Sequence, residues 1–483
     1  MSPLAVVGDT RFNLDFSGLP QNEESGTQCP NTPSTVLQGY NDYRGLITPT
    51  GDFGGWTVST NGGASPAKNG QLPSVLIGGI TTPSGGDPVA RSDGTCGLYM
   101  ANIDFATDPT GATDSSGIVL YKSNAGTLTA PGCTGTTPNA CWPSKKVVFG
   151  TTDPSRFEDK EWMDVGASGA AGNVVWVTWT DFSGLSGRIV GARCTATLSA
   201  CTAPIVISDA ADSDFVDGNT VPQFSYVTIG GSDGGRVYVT WLVAHFNAGG
   251  IQDLTTIKAK VAAAGSTVFG PSKVIATLPC TTDSCAGAAI GLGNVLHADD
   301  FRVVTIPKST TRVVGAVQKL YVTYEVCNPL LFHAICEEPS VRTAIASVAG
   351  TAIGAVTTLT SSIGGDNYFP SIARERGSTP GTRVVLAYFT NRYDPFHHRQ
   401  DIELVALNAA TAGVLSRQRV TGASNEPDAD PSLGGFFIGD YIEVTAMNGL
   451  AMTHYNANRT SLKLRNLGVP VPQQDSYLNR SSF

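Results

Sequence analysis

Residues 174–180 read Val-Val-Trp-Val-Thr-Trp-Thr, and this stretch decides the fold class. It is too short for a useful helix, and its β-branched and aromatic residues are those a pleated strand prefers. The same stretch recurs at 237–242 (VYVTWL), 320–325 (LYVTYE), 384–390 (VVLAYFT) and 450–455 (LAMTHY). Looser relatives stand at 35–41 (TVLQGYN) and 97–102 (GLYMAN), which makes seven copies. Gly, Pro, Asn and Asp break the chain between them, as turns require.

Each copy follows a second recurring strand with a polar start. These starts are Glu23-Glu24-Ser25, Asp87-Pro88-Val89, Lys160-Glu161-Trp162, Val221-Pro222-Gln223, Asp299-Asp300-Phe301, Phe369-Pro370-Ser371 and Gly439-Asp440-Tyr441, about 69 residues apart on average. A third strand follows each pair, as at 187–193 and 401–406, and often a fourth, as at 204–208 and 355–359. Four strands per repeat predict the blades of a β-propeller, because one such sheet cannot bury both faces alone. The expectation is therefore all-β: one domain over 1–483 of about seven four-stranded blades, starting near 23, 87, 160, 221, 299, 369 and 439. Six blades with irregular extensions is the alternative. No compositional break marks a linker.

Composition agrees. Hydrophobic residues are 41% of 483, enough for a large core, while charged residues are only 15% and Gly numbers 55. The net charge of −9, with no Lys/Arg stripe, excludes a nucleic-acid footprint. No apolar run reaches the ~18 residues of a membrane span. Eight of ten cysteines fall in close pairs: Cys133/Cys141, Cys194/Cys201, Cys280/Cys285 and Cys327/Cys336. That leaves Cys29 with Cys96. Without zinc-knuckle spacing, these read as disulfides formed in an oxidising compartment, so the chain is expected to be secreted, its leader absent from this sequence.

The stretches Gln21-Asn22-Glu23-Glu24-Ser25 and Gly39-Tyr40-Asn41-Asp42-Tyr43-Arg44 resemble the first blade of sialidase-like propellers. Residues 55–65 (GWTVSTNGGAS) resemble that family's Asp-box hairpin, with Asn61 in place of Asp and no closing aromatic. Residues 159–162 and 437–441 resemble later blade starts. The resemblance spans nearly the whole chain and implies a propeller whose glycan site lies on one face. The Arg-Ile-Pro stretch that carries the first substrate-binding arginine of sialidases is missing, so sialidase activity itself is not expected.

In such a propeller the starts of the first strands and the ends of the second strands meet on one face. The first set offers Glu23, Glu24, Asp87, Asp159, Glu161, Asp299, Asp300, Asp366, Tyr368, Asp440 and Tyr441. The second offers Asn41, Asp42, Tyr43, Arg44, Asp104, Asp181, His245, Glu325, Asn391, Arg392, Tyr393, Asp394, Asn456 and Arg459. Carboxylates accept sugar hydroxyls, and aromatic rings cover the apolar side of a pyranose. The partner expected is thus a polysaccharide or other glycan, and the function that of a glycoside hydrolase or polysaccharide lyase. The alternative is a non-catalytic glycan-binding or surface-adhesion module.

A hydrolase needs opposed carboxyl groups, about 5–5.5 Å apart for retention or 6.5–9.5 Å for inversion. Asp87 with Asp159 or Glu161, and Asp300 with Asp440, are the candidates. A lyase needs a base beside a uronate, for which His297 stands next to Asp299 and Asp300. Tyr393-Asp394 with His397, His398 and Arg399 is a second such cluster. Tyr43, Arg44, Tyr368, Arg392, Tyr393 and Tyr441 are the expected substrate contacts. Successive strand residues face opposite ways, so His397 and His398 are not expected to share a metal. No cofactor is required, although Asp428 and Asp430 could hold a structural calcium.

Overall fold

The computed structural model describes residues 6–184, 186–213, 219–231, 234–250, 252–280, 294–296, 299, 301–330, 335–361, 364–377, 382–463 and 470–483. The expected strand copies all fall on the second strands of four-stranded antiparallel units, the last two of which are joined into one eight-stranded sheet by parallel pairing of Asn367–Arg376 with Glu443–Met447. Sheet I comprises Gln21–Gln28, Val36–Asp42, Gly54–Ser59 and Lys68–Gln71. Sheet II comprises Ser84–Ser92, Leu98–Thr107, Thr113–Ser123 and Ser144–Thr151, and sheet III Arg156–Ala167, Asn173–Ser183, Ser186–Thr195 and Ile205–Val206. Sheet IV follows with Thr220–Ile229, Val237–Phe246, Gln252–Ala262 and Lys273–Pro279.

In sheet V, Lys308–Val314, Val317–Leu330, Ile335–Ala349 and Ala352–Ser361 pair in order, and the short strands Asn294–Leu296 and Arg302–Val303 add to its third strand. The first long strand here thus begins at Lys308, beyond the Asp299 start read from the sequence. Sheet VI is Asn367–Arg376, Arg383–Thr390, Asp401–Asn408 and Val414–Arg419. Sheet VII takes Glu443–Met447, Leu450–Lys463 and Pro470–Ser482, and the N-terminal strand Val6–Arg11 completes it. Each sheet's first strand lies against the next sheet's first strand, and that of sheet VII lies against that of sheet I.

Residues 174–180 show why the strands read as unbroken apolar-and-Thr runs rather than alternating ones. Both faces of sheet III are covered, so Val175, Trp176, Val177, Thr178, Trp179 and Thr180 are all buried. Trp176 meets Phe269, beyond the third strand of sheet IV, edge-on at 5.7 Å, while Trp179 leans on Phe149 of sheet II at 6.1 Å.

Five first strands carry a β-bulge at the same place, where the register slips and one residue turns left-handed. These residues are Glu23 (φ 59°), Asp87 (55°), Lys160 (48°), Phe224 (56°) and Phe369 (49°). Gly439 (92°) precedes Asp440 in the corresponding stretch before sheet VII. A left-handed non-glycine residue costs roughly 1–2 kcal/mol. The neighbouring sheets over-determine it here: Asp87 N–H donates to Asn41 Oδ1 (2.8 Å), and Phe369 N–H donates to Glu325 Oε2 (3.0 Å).

Four of the expected disulfides are present: Cys29–Cys96, Cys133–Cys141, Cys194–Cys201 and Cys327–Cys336. Cys280 is also disulfide-bonded, and the Cys285 expected to join it lies outside the described residues. At the Asp-box-like hairpin, Ser65 N–H donates to Asn61 Oδ1 (3.0 Å), with Gly62 and Gly63 left-handed, as that turn requires. No helix among the described residues is long and apolar enough to cross a membrane.

Candidate functional site

Four of the five bulge residues, Glu23, Asp87, Lys160 and Phe224, line one cavity of about 520 Å³. Glu23, Asp87, Asp159, Lys160, Gln223 and Phe224 reach it from the first strands of sheets I to IV. Asn41, just inside the end of its strand, and Tyr43, just beyond it, come from sheet I. Arg302, Phe437 and Asp440 come from the segments before sheets V and VII. A bulge re-aims a side chain that regular pleating would turn into a sheet-to-sheet interface.

The centre is an ion cluster around one ammonium. Lys160 Nζ lies 3.0 Å from Glu23, 3.1 Å from Asp87 and 2.7 Å from Asp440. Those three carboxylates therefore present oxygens within about 6 Å of one another. Arg302 grips Asp440 with both arms of its fork, Nε donating to Oδ1 at 2.8 Å and Nη2 to Oδ2. Asn41 donates to Glu23 Oε2 (2.9 Å), and Asp440 N–H donates to Glu23 Oε1 (3.1 Å). Gln223 donates to Asp159 Oδ2 at 3.2 Å.

Four clustered acids cannot all ionise alike, and their surroundings separate them. Burial opposes ionisation of Asp440, but Lys160 and then Arg302 outweigh it and hold this carboxyl below its ordinary range. Glu23 goes the other way, pushed well up by burial and then by Asp87. Burial also raises Asp159, against the pull of Lys160, to about 6. The cluster thus holds one firmly ionised acid, Asp440, and two that keep their protons above the usual carboxylate range, Glu23 and Asp159. The Tyr43 hydroxyl is pushed up to about 12 by burial and by Glu23.

The walls are aromatic. Phe105 and Phe157 meet edge to face at 5.7 Å, and Phe182, Phe224 and Phe437 complete the lining, with the Arg302 guanidinium 4.8 Å over the Phe437 ring.

Of the residues anticipated from sequence, the cavity brings together Glu23, Asn41, Tyr43, Asp87, Asp159 and Asp440. Glu161 does not line it. Its carboxyl is sealed in the core without a hydrogen-bond partner, and burial followed by Asp87 raises it well above its ordinary range. Tyr441 lies beneath the floor, its ring 5.8 Å from Lys160 Nζ and edge-on to Trp162 at 5.4 Å. Tyr368 is a core residue, packed on Phe301, Phe369 and Phe389, and its hydroxyl donates to Gln400 Oε1 at 2.8 Å. Arg44 turns onto Asp42, both of whose oxygens accept from Nε at 2.9 Å. Arg392 and Tyr393 form a separate cluster on sheet VI, the guanidinium 4.5 Å over the ring and 2.7 Å from Glu403. Asp300 and His297 lie outside the described residues.

Asp299 and His398, flagged in separate stretches of sequence, do meet, with His398 Nδ1 3.2 Å from Asp299 Oδ1. Glu426 brings a third potential metal-ligating atom within 4.8 Å of theirs. Asp430 accepts from Ser432 N–H at Oδ1 and from Gln474 N–H at Oδ2, both at 2.8 Å.

Lys160 and Arg302, the two cations that line the cavity among the described residues, are not among the expected site residues. A signal existed for Lys160, which occupies the repeat position of Glu23 and Asp87. Arg302 had none, since its segment breaks the repeat.

No family model matches this chain, and no curated protein does. Among solved structures, a Hadza microbial sialidase aligns over 92% of this chain and 74% of its own, at 10% identity and a TM-score of 0.41. A PL25 ulvan lyase bound to a GlcA–Rha3S unit aligns over 90% and 92%, at 7% identity and a TM-score of 0.48. The GH93 α-L-arabinofuranosidase of Fusarium graminearum aligns over 67% and 93%, at 8% identity and a TM-score of 0.35. The chain is thus similar, remotely, to sialidases among other proteins, the family that residues 21–25, 39–44 and 55–65 also resemble.

Proposed function

We propose that this protein is a secreted glycoside hydrolase, built as a seven-bladed propeller from the seven sheets, and that it cleaves a glycan in the cavity between sheets I and IV. The observation that carries the reading is the division of labour among the acids: Asp159, raised to about 6, beside carboxyls held near Lys160. Glycosidic cleavage needs a carboxylic acid that still has its proton and a second carboxylate that has lost its own. In this reading Asp159 protonates the leaving oxygen. Asp87, 3.1 Å from Lys160 Nζ, supplies the opposing carboxylate, and Phe105 and Phe157 stack on the sugar. A hydrolase is favoured over a lyase because no histidine lines the cavity among the described residues, and Tyr43 is a poor base with its hydroxyl pushed up to about 12.

The test is a screen of neutral and acidic polysaccharides for new reducing ends, together with absorbance of the unsaturated uronate. Reducing ends without absorbance are expected. Their rate should fall as pH rises through about 6, where Asp159 loses its proton. Asp159→Asn and Asp87→Asn should each lower kcat at least 100-fold, the scale of general acid–base catalysis. A rise in absorbance would establish a lyase instead. A second reading, a glycan-binding module without turnover, is favoured by the commitment of both Asp87 and Asp440 to Lys160. Glycan binding with no product from any bound sugar would establish it.

A further inference from the structure

We infer that the cavity is selective for uncharged sugars and turns away those bearing a carboxylate, such as uronates and sialic acids. The inference rests on the glycan reading above and adds the substrate class to it.

A site that recognises a sugar carboxylate keeps a cation with donors to spare. Among the described residues only Lys160 and Arg302 bring positive charge to this lining, and both are committed. An ammonium has three N–H donors, and Lys160 has three carboxylates at 2.7–3.1 Å. Arg302 already holds the buried Asp440 through Nε and Nη2, so its charge is neutralised by a carboxylate of the chain itself. Nearby cations are occupied in the same way: Arg44 by Asp42, and both Arg156 and Arg188 by Asp181. An incoming carboxylate would therefore have to share a cation that a buried acid already neutralises, weakening that acid's pairing. A hydroxyl has no such competition. It can donate to a carboxylate oxygen or bond to the Asn41 and Gln223 amides without disturbing an ion pair, while the phenyl walls cover the ring face.

The experiment is calorimetric titration at pH 7 with matched pairs: lactose against 3′-sialyllactose, galacto- against galacturono-oligosaccharides, and gluco- against glucurono-oligosaccharides. The neutral member of at least one pair is expected to bind at least tenfold more tightly, the scale of one charge-assisted hydrogen bond. Acidic members binding as tightly as their neutral partners, or more tightly, would overturn the inference and leave the glycan reading standing. Binding by neither member of any pair would overturn both. Asp440→Asn supplies an independent arm, because it frees donors on both Lys160 and Arg302. With folding verified by circular dichroism, its preference for neutral ligands should shrink about tenfold. An unchanged preference in the folded variant would show that these ion pairs do not set it. If Asp440→Asn does not fold, Asp87→Asn releases one Lys160 donor and is read the same way.

Discussion

Asp159 shows how one residue can be costly to the fold and useful to the site. Its carboxyl titrates near 6 in the folded chain, against about 3.9 when unfolded. Between those values the native state holds more protons than the unfolded one, so stability falls as pH rises through the window. The penalty is complete above about pH 6 and gone below about pH 4. Asp159→Asn removes it, and an Asn oxygen can still accept from Gln223. The variant should therefore gain about 2–3 kcal/mol at pH 7.5 and match the wild type near pH 4. Urea titrations at the two pH values test this; an equal gain at both would mean the carboxyl is not held protonated.

At the scale of the element, the devices that hold hairpins and strand ends were the most readable part of the sequence. The disulfides differ in how much chain they restrain. Cys194 and Cys201 are 7 residues apart and close one hairpin, whereas Cys29 and Cys96 are 67 apart and tie sheet I to sheet II. Chain-entropy scaling assigns about 2.5 kcal/mol to the short loop and about 4.4 kcal/mol to the long one. Serine pairs at 29/96 should therefore lower Tm more than serine pairs at 194/201. Calorimetry of the two variants decides it, and the reverse order would show that local strand pairing, not loop closure, dominates. The bulges were not readable. Glu23-Glu24, Asp87-Pro88 and Lys160-Glu161 share a polar start, but nothing in those residue types announces a left-handed φ. The neighbouring sheet enforces it, through bonds such as Asn41 Oδ1 to Asp87 N–H.

Across the whole molecule, the first and last parts of the chain share one sheet. Val6–Arg11 pairs with Pro470–Ser482, Asn479 donates to Asp9 Oδ1 at 2.6 Å, and Arg11 sits 2.9 Å from Asp475. Deleting residues 1–11 exposes the edge of Pro470–Ser482 and leaves the buried Asp475 without Arg11. The truncated chain should melt about 3 °C lower, for the loss of about 3 kcal/mol from a chain this long. An unchanged Tm would show that the N-terminal strand is dispensable for closure.

From the cavity floor a column of cations and rings continues inward. Tyr441 lies between Lys160 at 5.8 Å and Lys308 at 5.1 Å, and Trp162 between Lys308 at 4.6 Å and Arg91 at 5.3 Å. Arg91 ends the column on Glu443 at 2.7 Å, in the lining of a second cavity of about 60 Å³. This packing occupies Tyr441, which the sequence had offered as a substrate contact.

The sequence by itself determined the strand repeat, the disulfide pairs among the described residues and the stretches from which the cavity is drawn. These depend on local chemistry: β-branched and aromatic runs, turn residues and cysteine spacing are properties of neighbours along the chain. Only the tertiary structure decided which acids face the cavity. Asp87, Asp159 and Asp440 reach it, while Glu161, one residue after the left-handed Lys160, is buried in the core. It alone also gathered Lys160 and Arg302 around those acids, from positions more than a hundred residues apart. Side-chain direction at a bulge and the pairing of distant charges are fixed by neighbouring sheets, and no local stretch of sequence contains those neighbours.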